Sequence, residues 1–244
     1  MLKKIGSVWS VSAILLLVLS AAPAWGQAKN AIIVSDEQPS ELAGVPAGGF
    51  QVGQEYEAIS GPVVLYEPDD GRIEVLSYFW YNCGACYAID PEMHEWASKL
   101  PADVRFIRLP ATFYVFHARI YFTLRAMDLG FEADQTVFNL FRNERKPVNQ
   151  PEQLADLARV LKVDKKILIE TFHSPAVDAM VAKAEKSMDD YGLLGVPAMV
   201  VDGRYRFDIS TAHGPEGYKK LAEYLIEKRR QERQKNKGSK PAKK

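Results

Sequence analysis

The chain has 244 residues, with 31 Lys plus Arg against 31 Asp plus Glu, so its formal charge is zero. That length fits one or two domains and leaves ample interior for a core. Aromatic residues at 11% exclude a chain disordered throughout, and only two cysteines exclude a framework of several disulfides.

Lys3 and Lys4 precede the apolar run "VSAILLLVLSAA", and "PAWGQA" follows with small residues at Ala24 and Gly26. This reads as a secretory signal over 1–26, cleaved after Ala24 or Gly26. The alternative, an uncleaved anchor, needs a span of about 20 apolar residues, and this run is shorter. The mature protein is therefore expected where disulfides persist. Residues 27–60, rich in Gly, Pro, Gln and Glu, read as a lead-in arm. "PVVLY" at 62–66 is a short strand candidate, "PDDGR" at 68–72 a turn, and "RIEVLSYFW" at 72–80 a strand buried on both faces. The stretch "CGAC" comes directly after it.

From 88 to 100 the spacing predicts a helix, with Ile89, Met93, Trp96 and Leu100 on one face and Pro91 as a kink. "DVRFIRLP" at 103–110 is a second strand. Strand, helix and strand form a βαβ unit, which prefers a parallel sheet. Residues 113–190 read as helical throughout, with Gly130 as a helix C-cap, Asp164 as an N-cap and Gly192 closing the last helix. That is too long for a crossover, so it is an inserted helical domain. "GVPAMVVDGRYRFD" reads as two strands joined at Asp202-Gly203. A last helix runs from about Pro215 to Arg230, with Tyr218, Leu221, Tyr224 and Leu225 on one face. The fold class is α/β: one domain from 61–112 and 191–230, interrupted by the helical insert.

Charge is uneven along this order. From Lys228 onward nine Lys or Arg face one Glu, whereas 27–227 hold 20 basic and 30 acidic side chains, a net of about −10. Residues 231–244 lack aromatics and end in Gly, Ser and Pro, so they read as a solvated, disordered basic tail and not as a nucleic-acid surface.

Both cysteines, Cys83 and Cys86, stand in "WYNCGACYAIDP" between a buried strand and a helix. The first turn of a helix has unpaired N–H groups and the positive end of the dipole, and both stabilise a thiolate at Cys83. Cys86, one turn in, can attack a mixed disulfide formed at Cys83. The spacing thus assigns Cys83 as the attacking thiol and Cys86 as the resolving one. A zinc site would need two further ligands, and His94, His117, His173 and His213 are scattered, so no metal and no cofactor is expected. A purely structural disulfide would close a tiny loop and stabilise little. Trp80 and Tyr81, beside the motif, are candidates for touching substrate. His94 reads as a surface or structural residue and His117 as packed in the aromatic helix.

The order strand, CxxC, helix, strand, helical insert, then Gly195-Val196-Pro197 and a hairpin resembles the thioredoxin fold. With its insert the chain resembles the DsbA family of exported thiol:disulfide oxidoreductases. The match covers about residues 55–230 and is most specific in "SYFWYNCGACYAIDPEM" (77–93) and "LLGVPAMVVDGRY" (193–205). The resemblance implies a thioredoxin-like fold with an inserted all-helical domain and a cis peptide at Val196–Pro197 facing the disulfide, these two residues contacting substrate. It implies a periplasmic protein that introduces disulfides into reduced or misfolded exported proteins and is reoxidised by a DsbB-type membrane protein, with no role for nucleic acid. Two features depart from the family. Gly84-Ala85 stands where Pro-His is frequent, so thiolate tuning there has no side-chain donor. Ser77 stands where the preceding strand often carries a buried acid, with Glu74 on the opposite face. The potential is therefore expected between those of thioredoxin and DsbA, about −270 and −120 mV. The competing readings are a disulfide reductase or isomerase of the same fold, and a non-catalytic exported chaperone or binding module.

Overall fold

The computed structural model describes residues 49–238. The expected signal peptide, most of the lead-in arm and residues 239–244 of the tail lie outside the described residues. A five-stranded mixed sheet has the order β1-β5-β4-β2-β3. An interior strand, β2 (Ile73–Phe79), is buried at every position; its sequence is mostly apolar and aromatic, and Glu74 and Ser77 are buried with the rest. It pairs in parallel with β3 (Val104–Pro110), Ile73 opposite Val104, through the crossover helix α1 (Gly84–Ser98). On its other side lies antiparallel β4 (Ala198–Val201), which turns through Asp202 and Gly203, both at positive φ, into β5 (Tyr205–Asp208). The edge strand β1 (Glu57–Ala58) pairs with β5.

Alternation along β2 divides the core between the two faces of the sheet. Ile73 and Val75 meet Ile89, Met93 and Trp96 of α1 and Tyr218, Leu221 and Leu225 of α7 (Pro215–Gly238). Leu76 and Tyr78 meet the inserted helices. These are α2 (Val115–Ala126), α3 (Phe131–Arg142), α4 (Leu154–Leu161), α5 (Lys165–Phe172) and α6 (Pro175–Tyr191). Local chemistry sets several of their ends. The carboxylate of Asp164 accepts from the Ile167 N–H at 2.9 Å to start α5, and Gly192, at φ 62°, closes α6. Among the described residues, no helix is long and apolar enough to cross a membrane.

Four expectations are corrected. Residues 62–66 form no strand: they are an irregular segment that crosses the β4–β5 turn, with the Val64 carbonyl accepting from the Tyr191 hydroxyl at 2.9 Å. The end of the lead-in arm is not separate, since β1 joins the sheet. Gly130 does not cap α2, which ends at Ala126; Asp128 takes the left-handed conformation and the Leu129 N–H closes on the Leu124 carbonyl, leaving Gly130 to start α3. Finally, the last helix continues through residues 231–238 of the expected disordered tail. Its basic side chains reach the acidic body: Arg229 and Arg233 both bind the fully buried carboxylate of Asp202, and Arg230 binds Asp103.

Candidate functional site: the Cys83–Cys86 disulfide

Cys83 and Cys86 form a disulfide, their Cα atoms 5.2 Å apart. The buried strand β2 ends at Phe79, and Trp80, Tyr81 and Asn82 lead to Cys83. Cys83 is the N-cap of that helix, in extended conformation, and its sulfur accepts from the Cys86 N–H at 3.1 Å. The first turn of α1 has no acidic residue to oppose a negative sulfur there. Cys86 is buried, while Cys83 is half-buried.

The peptide Val196–Pro197 is cis. It leads into β4, and the Val196 carbonyl oxygen lies 3.6 Å from Sγ of Cys83. Leu194, two residues before it, is 94% exposed. Trp80 is half-buried and held from below: its indole N–H donates to Nδ1 of His117 at 2.7 Å, and Nε2 of His117 pairs with Oδ1 of Asn149 at 2.8 Å. This pairing assigns the ring proton of His117 to Nε2. Burial pushes the His117 pKa down to about 4, so the ring is neutral at pH 7. The ring of Tyr114 packs edge-on against His117 at 4.4 Å, and Phe113, Tyr114 and Val115 are exposed. An aromatic surface therefore extends from Trp80 onto the start of α2.

Tyr81 requires a correction as a substrate contact. It is fully buried among Phe79, Phe138 and Phe141, and its hydroxyl donates to Asp134 at 2.7 Å. Its neighbour Trp80 points the other way, as adjacent residues of extended chain do. His94 is exposed, as expected, and stacks face to face on Phe131, 3.8 Å between centroids.

Cys86 borders a cavity of about 420 Å³ that is also lined by Pro197, Asp90, Arg108 and Phe131. Arg108 of β3 pairs with Asp90 of α1 at 2.9 Å and with Asp134 of α3 at 2.7 Å, and it lies over the Phe79 ring at 3.6 Å. Burial raises the Asp90 carboxyl, with Arg108 opposing. Ser77 leaves β2 without an acid on this face, as read from the sequence, but α1 supplies Asp90, one turn beyond Cys86. That i, i+4 spacing was visible in the sequence. Glu74 serves elsewhere: its buried carboxylate accepts from the Tyr66 and Glu67 N–H groups and pairs with Arg105. Gly84 and Ala85 contribute no donor side chain, yet a cation does reach Gly84. Arg142, at the end of α3, donates to the Asn82 carbonyl at 3.2 Å, and its Nη2 would lie 2.9 Å from a Cβ placed on Gly84. No local sequence signal marks Arg142, Asp134 or His117 as neighbours of the motif.

A half-exposed sulfur at a helix N-terminus, bonded to a buried one, is suited to thiol–disulfide exchange. Comparison with known proteins agrees. Residues 107–225 match the model of the DSBA-like thioredoxin domain. The thiol:disulfide interchange protein DsbA of Pseudomonas aeruginosa is 41% identical over 207 residues, covering 83% of this chain and 97% of that protein. Its namesake from Azotobacter vinelandii is 36% identical, over 74% of this chain and 85% of that one. The crystal structure of Pseudomonas aeruginosa DsbA superposes with a TM-score of 0.73 at 42% identity, over 77% of this chain and 98% of that one. The sheet, the inserted helices, the disulfide and these similarities lead to one assignment: the chain belongs to the DsbA family of thiol:disulfide oxidoreductases.

Proposed function

We propose that this protein is an exported thiol oxidase of the periplasm, sent there by the signal at residues 1–26. The observation that carries this reading is the asymmetry of the disulfide: Cys83 half-exposed and capping α1, Cys86 buried. A thiolate of a reduced or misfolded exported protein attacks Sγ of Cys83. The S–S bond breaks, and Cys86 leaves as a thiolate and takes a proton. A second substrate thiolate then attacks the substrate sulfur of the mixed disulfide and releases Cys83 as a thiolate at the helix N-terminus. The substrate gains a disulfide, and two electrons pass to the Cys83–Cys86 pair. Reverse attack by Cys86 would resolve unproductive mixed disulfides. The backbone of Val196 beside Cys83, next to Pro197, supports pairing with an extended substrate segment, and Trp80 supports an apolar contact. A DsbB-type membrane protein would reoxidise the pair.

The test is equilibration of the pair with glutathione, together with oxidation of a reduced substrate protein. An oxidase gives a potential well above the thioredoxin value of about −270 mV, toward the value of about −120 mV known for a DsbA. The reading fails if the Cys83 thiol titrates near the free value of about 8.5. Gly84-Ala85, which has no imidazole, favours the second reading, a reductase or isomerase. That reading requires a potential close to thioredoxin's and efficient reduction of a disulfide substrate.

A further inference from the structure

We propose that Arg142 stabilises the Cys83 thiolate in the reduced protein, its guanidinium lying in the space that glycine leaves open at position 84. The proposal rests on the oxidoreductase reading of Cys83 and names a tuning residue for it outside the motif.

The placement of the cation is defined by two contacts of its guanidinium. A Cβ on Gly84 would meet Nη2 of Arg142 at 2.9 Å, closer than real Cβ contacts, and the carbonyl of Asn82 holds Nη1 at 3.2 Å. The guanidinium thus spans the residues on both sides of Cys83. Among the described residues, no carboxylate lies within salt-bridge distance of Arg142: its neighbour Glu144 pairs with Lys146. Its charge is therefore available to the sulfur. The other charged groups nearby do not substitute for it. The first turn of α1 has no acid. Asp90, Arg108, Arg125 and Asp134 line the cavity bordered by Cys86, which Cys83 does not line. Tyr87 is engaged by Asn139 and Asn143. Stabilising the thiolate stabilises the reduced form, which makes the disulfide a stronger oxidant. Arg142 would thereby supply, from 58 positions along the chain, the cationic donor that Gly84-Ala85 lacks.

Arg142 is exposed, so solvent screens its charge and the expected effect is moderate. Arg142→Gln should raise the Cys83 pKa by roughly half a unit to one unit. It should shift the equilibrium with glutathione about three- to tenfold toward the oxidised protein, equivalent to about 15–30 mV. Arg142→Lys should retain most of the wild-type value, and Arg142→Glu should exceed the effect of Gln. The difference between wild type and Arg142→Gln should shrink as salt is added, which the loss of a purely structural hydrogen bond would not do. Gly84→Ala should displace the guanidinium and reproduce part of the shift in wild type, but add nothing in Arg142→Gln. An unchanged pKa and equilibrium constant in Arg142→Gln overturns the role of the charge. Additive effects of Gly84→Ala and Arg142→Gln overturn the steric link. A wild-type Cys83 pKa near the free value would instead overturn the parent reading, so the two failures are distinct.

Discussion

Acidification from about pH 7.5 to about pH 4.5 should cost this protein stability through one buried ring, His117. In the unfolded chain its imidazole binds a proton near pH 6.5; in the fold burial lowers that value to about 4. Below about pH 6.5 the unfolded state therefore gains a proton that the folded state refuses. The stability at stake is intact above about 6.5 and is lost as pH falls toward 4, at about 1.4 kcal/mol per pH unit. By pH 4.5 the loss is on the order of 2–3 kcal/mol. Protonation at Nδ1 would also break the 2.7 Å bond from the Trp80 indole and so loosen an aromatic residue beside the disulfide. The assay is urea unfolding across this range for wild type and for His117→Asn, whose amide oxygen can replace Nδ1 as an acceptor without titrating. Carboxylates held low, such as Glu55 and Glu232, and Asp90, held high, are common to both proteins and cancel in the difference. Wild type should lose its advantage over the variant between about pH 6.5 and 4.5. Parallel curves would refute a buried, neutral His117.

Other perturbations have equally direct outcomes. Asp202→Asn keeps a side chain tolerant of positive φ but removes the charge that holds Arg229 and Arg233; it should destabilise the protein by about 3 kcal/mol and speed amide exchange at 231–236. Tyr81→Phe deletes a buried hydrogen bond to a carboxylate and should cost about 2 kcal/mol, with the KM for a reduced peptide unchanged; Trp80→Ala should raise that KM. In the reduced protein Cys83 should be alkylated first and Cys86 far more slowly, read by mass spectrometry of trapped peptides, because Cys86 is 2% exposed.

What the sequence determined by itself is what neighbours along the chain decide. The nearly continuous apolar and aromatic run 73–79 reads as a strand buried on both faces wherever it is placed. Cys83 caps α1 through an N–H three residues away, so the link from motif to thiolate stabilisation needs no distant group. Asp202-Gly203 and Gly192 set a turn and a helix end by their own backbone preferences, and Asp164 sets a helix start by capping an N–H three residues on. Tertiary structure decided everything that depends on how the helical insert docks on the sheet. Trp80 and Tyr81 are adjacent and chemically alike, yet the packing of Phe138 and Phe141 selects Tyr81 for the core and leaves Trp80 at the surface. Arg142 arrives over Gly84 only because α3 ends there. The basic residues after Arg230 look like a solvated tail until Asp202, buried at a turn some thirty residues earlier, draws Arg233 onto the body. A charge pair has no period in the sequence; its partners are found by Coulomb attraction and burial once the elements have packed.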